Sequence, residues 1–181
     1  EHALSRALAI SPEHAPTLVA LGELRLKLRD LPGAERSLER ALRLAEKNAA
    51  AHLAMADLRF VRKQYSAALA SYRRAAALAE DGWDARCRGA MASHRLGNSM
   101  EAVAELNTLL EARPDDSHAH FILALILRDL GRSDAAAAHA LRAAETAEPD
   151  ADMLLAQAAG ILASAGRRDV ALRLMRRAAE I

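Results

Sequence analysis

Apolar and polar positions follow one another along this chain with helical periodicity, in paired stretches parted by a short polar or glycine-containing break. In one such pair, Ala49 to Arg62 is a predicted helix, Lys63-Gln64-Tyr65-Ser66 the turn, and Ala67 to Ala79 the next helix. Small residues inside the pairs recur every 34 positions, with Gly22, Ala56, Ala90 and Ala124 in one series and Ala34, Ala68, Ala102 and Ala136 in a second. A third runs through Ala7, Ala41, Ala75 and Ala143, with Leu109 standing in once. A period of roughly 20 to 50 residues predicts a solenoid, whose repeats bury their apolar faces only against their neighbours.

Helices that pack at short interaxial distance need small side chains where their axes approach. Two of the series fall where the helices of a pair would cross. The third lies late in the second helix, facing the first helix of the following repeat. Larger residues fill the space between: Leu21, Met55 and Leu123 on first helices, and Leu38, Tyr72 and Leu106 on second helices.

This register resembles the tetratricopeptide repeat. The family places a large and then a small residue early in its first helix, matched by Leu21-Gly22, Met55-Ala56 and Leu123-Ala124. Gly97, Gly131 and Gly166 match its turn, and Ala68-Leu69, Ala102-Val103 and Ala171-Leu172 the start of its second helix. Pro12 and Pro114 stand at its inter-repeat proline. Repeats are expected at 15–48, 49–82, 83–116, 117–151 and a truncated 152–181, with 1–14 as the second helix of an earlier repeat. Pro149 falls one place late, so the fourth repeat is one residue longer. The family's early Trp is replaced by Leu18, His52, Arg86, His120 and Leu155, and its first-helix Tyr by Arg25, Arg59, Ser93, Leu127 and Leu162. The resemblance implies an all-α, right-handed solenoid of antiparallel helix pairs, divergent in its consensus positions.

Composition agrees: 52% of residues are hydrophobic but only 3% aromatic, which suits thin layers packed through Ala and Leu. The net charge is +1 with both signs interspersed, so neither nucleic acid nor an acidic membrane is expected as a main partner. Arg outnumbers Lys, as a GC-rich bacterial coding sequence would give. A single cysteine, Cys87, excludes a disulfide framework. These 181 residues show no signal-peptide pattern and no apolar run that could span a bilayer, and because they open inside a repeat this leaves the compartment open. The sequence opens inside a predicted second helix and closes on an apolar stripe of Leu174, Met175, Ala178 and Ile181, without a polar cap at either end. Further repeats or domains of the same chain are therefore expected on both sides.

Seven histidines and many carboxylates form no catalytic constellation. His118 and His120 are two apart on a helix and face different ways, whereas zinc needs about four convergent ligands. Cys87 and His94 share a helix face without the contact that a nucleophile needs with its base. Asp115-Asp116-Ser117 has the character of a helix N-cap. No enzyme, cofactor or metal site is expected in this segment.

Recognition remains. In tetratricopeptide arrays the first helices line a concave face on which ligands lie. The resemblance implies groove positions at Val19, Glu23, Leu26 and Lys27; Leu53, Asp57, Phe60 and Val61; Cys87, Met91, His94 and Arg95; Phe121, Leu125, Arg128 and Asp129; and Met153, Ala156, Gly160 and Ala163. The track Val19–Leu53–Cys87–Phe121–Ala156 is apolar throughout, and a second runs from acidic Glu23 and Asp57 to apolar Met91 and Leu125. Such a track is either an exposed interaction surface or a seam buried by winding, according to the curvature of the repeats. Phe60 and Phe121 are the candidate aromatic anchors. A chaperone-type carboxylate clamp is not expected, because its places hold Val19, Glu23, Ala54, Asp84 and Arg88, with one basic residue among them.

Trp83 is expected to pack at an inter-repeat junction, and Arg167, Arg168, Arg173, Arg176 and Arg177 to form a solvated face paired in part with Asp169 and Glu180. The expected function is a protein–protein interaction scaffold that captures a protein or peptide segment in the groove. Two other roles stand beside it: the substrate-presenting arm of a larger glycosyltransferase- or hydroxylase-like enzyme, and a periplasmic scaffold of a polysaccharide export complex.

Overall fold

A computed structural model describes residues 11, 13–148 and 151–179. The described residues hold ten helices and no strand. They group into two compact bodies, residues 1–96 and 97–181, with the division inside the predicted repeat 83–116. Each body is built from helix pairs.

The first body contains α1 (Ala15–Lys27), α2 (Leu31–Leu44), α3 (Ala49–Val61), α4 (Tyr65–Leu78) and α5 (Trp83–Arg95). The pairs α1/α2 and α3/α4 pack internally, while α2 also meets α3, α4 meets α5, and α1 meets α3. Local chemistry starts these helices. The Asp30 carboxylate accepts from Gly33 N at 2.9 Å and the Asn48 side chain from Ala51 N at 3.0 Å, satisfying amide groups that a helix start leaves open.

Two expectations need correction here. The second helix of the 49–82 pair begins at Tyr65 rather than Ala67, because Lys63 takes a left-handed φ of 61° and reverses the chain in one residue. Arg29 does the same at 62°, where later repeats use Gly97, Gly131 and Gly166. Residues with a Cβ occupy this region at a cost of about 1 kcal/mol, which glycine avoids. At the N-terminus, residues 1–10 and 12 lie outside the described residues. Ser11, Glu13 and His14 form a turn rather than the end of a helix, since His14 caps α1 by accepting from Thr17 N at 3.3 Å.

The crossing of α1 and α2 explains why the period demands small residues. A Cβ placed on Gly22 would lie 2.6 Å from the Leu38 side chain, closer than any packing allows. Ala34, Leu38, Ala54, Met55 and Leu58 form one buried cluster around it, and Ala56, Ala68, Tyr72 and Ala92 another.

The second body contains α6 (Ser99–Ala112), α7 (Ser117–Asp129), α8 (Ser133–Thr146), α9 (Asp152–Ser164) and α10 (Arg168–Ala179). Here α7/α8 and α9/α10 are the pairs, α6 packs on α7, and α8 on α9. Asp116 caps α7, accepting from Ala119 N at 2.7 Å. Leu106, Leu109, Leu123, Ile126, Leu155, Ile161 and Leu162 are fully buried, and α8 contributes Ala136, Ala137, Ala140, Ala143 and Ala144. Pro149 and the end of the expected terminal stripe, Ile181, fall outside the described residues. None of the described helices is long and apolar enough to cross a membrane.

Candidate functional site

In the first body the predicted groove positions sort by burial. Glu23, Lys27, Val61 and Arg95 are exposed, while Leu26, Leu53, Asp57, Phe60 and His94 are half-buried. Val19, Cys87 and Met91 are buried, with Cys87 wholly inaccessible at 0%. The apolar track is therefore not a continuous surface. Val19 packs on Leu18, Ala41 and Ala51, since small residues on α2 and α3 let these helices close over it. Phe60 is held edge-on to Tyr65 with ring centroids 5.3 Å apart, leaving part of its ring at the surface.

Between α3 and α5 the surface is a polar node. Arg88 Nη1 donates to Asp57 Oδ2 at 2.5 Å, and its Nε donates to Asp84 Oδ1 at 2.9 Å. From α4, the Tyr72 hydroxyl donates to the other Asp57 oxygen at 2.6 Å. Burial pushes the Asp57 carboxyl above its usual value, against the opposing pull of Arg88 and of the Tyr72 hydroxyl. The same burial drives the Tyr72 phenol well above its ordinary range. Arg88 is thus committed to two carboxylates of its own chain and does not offer the free cation that a carboxylate clamp requires.

A further polar tie went unread in the sequence. Arg25 Nη1 donates to Ser37 Oγ at 3.0 Å, and Arg59 donates to Ser71 Oγ in the same way one repeat later. Each serine hydroxyl in turn donates to a carbonyl four residues back, Gly33 O or Ala67 O. The signal was present, because both arginines and both serines recur at the 34-residue period. They replace the family's tyrosine with a guanidinium that joins the two helices of a pair. Beside this tie, Arg62 binds Glu35 through both guanidinium nitrogens at 2.6 and 2.8 Å, and these bonds hold Glu35 below the usual carboxylate range.

In the second body Phe121 and Leu125 are half-buried and Arg128 is exposed, where it pairs with Asp129 at 2.8 Å. His120 is buried. Its Nε2 lies 2.8 Å from Pro114 O, which only accepts, so Nε2 carries the proton and Nδ1 is left to accept from His139 Nδ1 at 2.9 Å. His52 makes the corresponding bond to Glu46 O at 2.8 Å. Where the family uses tryptophan, these two histidines tie the preceding loop to the first helix. No group of three or more metal-ligating side chains converges among the described residues.

The fifth repeat presents Met153, Ala156, Gly160 and Ala163 at its surface. On α10, Arg173 stands 3.8 Å from Asp169 and Arg177 donates to Ala144 O at 3.0 Å; Glu180 lies outside the described residues. Trp83 opens α5 half-buried, its backbone N–H donating to Asp81 Oδ1 at 3.0 Å.

The tetratricopeptide repeat family model matches residues 19–82 and 90–152, more than half of the chain. The chain belongs to the tetratricopeptide repeat family. Repeats of this family generally mediate protein–protein interactions. A comparison with curated proteins finds no match. Among solved structures, the fold is shared with YrrB, a repeat protein with an unusual peptide-binding site, at 20% identity and TM-score 0.62, covering 98% of this chain and 91% of YrrB. A thermophilic repeat protein of Thermus thermophilus, TTC0263, superposes with TM-score 0.75 at 21% identity, covering 92% of this chain and 91% of that one. The type IV pilus biogenesis factor PilW gives TM-score 0.71 at 20% identity, with 92% and 78% covered. At such identities the likeness is one of fold.

Proposed function

We propose that this chain is a protein-interaction scaffold that takes a partner segment along its first helices. The observation that carries this reading is the mixture left at the surface there. Half-buried apolar side chains, Leu53 and Phe60 in the first body and Phe121 and Leu125 in the second, stand beside exposed charges at Glu23, Lys27, Arg95 and Arg128. Half-buried aromatics with rigid surroundings lose little side-chain entropy on contact, and flanking charge selects among partners. Val19, Cys87 and Met91 support the face from beneath rather than touching the partner. Asp57 contributes through the oxygen surface of its node with Arg88 and Asp84.

Family membership supports the interaction class, and the peptide-binding site of YrrB supports a peptide or extended segment as the ligand. Affinity capture with the Phe60→Ala/Phe121→Ala double variant tests the reading. Loss of partners, with helicity unchanged by circular dichroism, is expected; retention of every partner refutes it.

A further inference from the structure

A second surface lies at the turn between α3 and α4, within the first body. A cavity of about 940 Å³ opens there, walled by Arg59, Arg62, Lys63, Tyr65 and Leu96 among others and by none of the first-helix groove positions. Its lining carries three cations against one carboxylate, Glu35, which Arg62 already holds through two bonds. Arg59 bonds a neutral hydroxyl, that of Ser71. Lys63 is exposed and stands in no ion pair among the described residues. It keeps a cation at a left-handed position that three later repeats give to glycine.

The preceding repeat shows what is missing. There Asp30 accepts from Gly33 N at 2.9 Å and lies 3.8 Å from Arg25 Nε, so one carboxylate caps α2 and meets the guanidinium. Arg25 keeps its bond to Ser37 while doing so. One period later the arginine, the serine and the capped amide return as Arg59, Ser71 and Ala67, but Gln64 stands where the acid was. Gln64 makes no side-chain cap bond, so the donors at Ala67 N and Arg59 lack the carboxylate that serves their counterparts. Later repeats have lost the arginine as well, with Ser93, Leu127 and Leu162 in its place. Donors without their acid are thus confined to this one turn. We infer that the cavity binds a carboxylate of an acidic peptide segment, which takes the place of Asp30 between Ala67 N, Arg59 and Lys63. The positive end of α4 adds to the attraction. Tyr65 and Leu96 beside the cations suit an adjoining apolar side chain, and so a peptide rather than a bare inorganic anion.

Amide NMR spectra of the isotope-labelled chain, titrated with acetyl-Leu-Asp-Leu-amide, test this. The Ala67 amide signal moves saturably, the same peptide with Asn for Asp binds at least about tenfold more weakly, and added salt narrows the difference. Lys63→Gly, which relieves the left-handed backbone and removes the cation, lowers the affinity. Gln64→Asp supplies the acid from within, so it abolishes the peptide's effect on Ala67 while raising the melting temperature. Equal binding of the two peptides, no movement at Ala67, or full affinity in Gln64→Asp overturns the inference. So does tighter binding of inorganic phosphate than of the Asp peptide, which would make this an anion site with no peptide character.

Discussion

His139 Nδ1 lies 2.9 Å from His120 Nδ1, and this imidazole contact ties α8 to α7. Burial, helped by the neighbouring His120, holds His139 below its ordinary pKa of 6.5. The unfolded chain therefore binds this proton more readily than the folded one. Its contribution to stability is full above the ordinary pKa, declines below it, and is lost as pH falls through the lowered value of the folded chain. The melting temperature is expected to drop as pH is lowered below about 6.5. His139→Gln, which keeps an N–H donor and cannot titrate, flattens that part of the profile; an unchanged slope contradicts the assignment.

The ties of Arg25 to Ser37 and Arg59 to Ser71 give a second expectation. Each is a partly buried bond from a charged donor, and its removal costs about 1.5–3 kcal/mol. Arg59→Met and Ser71→Ala should each destabilise the first body in urea titrations. A double-mutant cycle should recover a coupling of about 1 kcal/mol, and independence of the two sites would show that the contact carries no energy.

Two glycines should respond in opposite ways to the same substitution. Gly22→Ala drives a methyl group into Leu38 and is expected to cost about 1–3 kcal/mol. Gly160→Ala, in open space within α9, should stabilise by about 0.5–1 kcal/mol through helix propensity. Thermal unfolding of the two variants reads both signs.

Much of this was legible in the residues. Helix pairs, the small-residue crossings and the cap at Asp116 follow from periodicity, because each depends on side-chain size or a local hydrogen bond. The helix start at Tyr65 was missed because Lys63 adopts a backbone conformation that sequence rarely assigns to lysine. The burial of Val19 and Cys87 was not legible either, for it depends on how closely successive helices approach. The arginines at 25 and 59 and their serines at 37 and 71 do recur at the 34-residue period, but recurrence alone does not say that a surface-looking charge reaches across a helix pair.

Which face meets the partner decides how the scaffold works. Placing a photo-reactive benzophenone side chain at Leu53 and at Leu125 on first helices, and at Arg73 and Arg142 on second helices, measures this directly. Partner adducts are predicted from Leu53 and Leu125 and not from Arg73 or Arg142. Adducts from the second-helix positions alone would contradict the proposed working face.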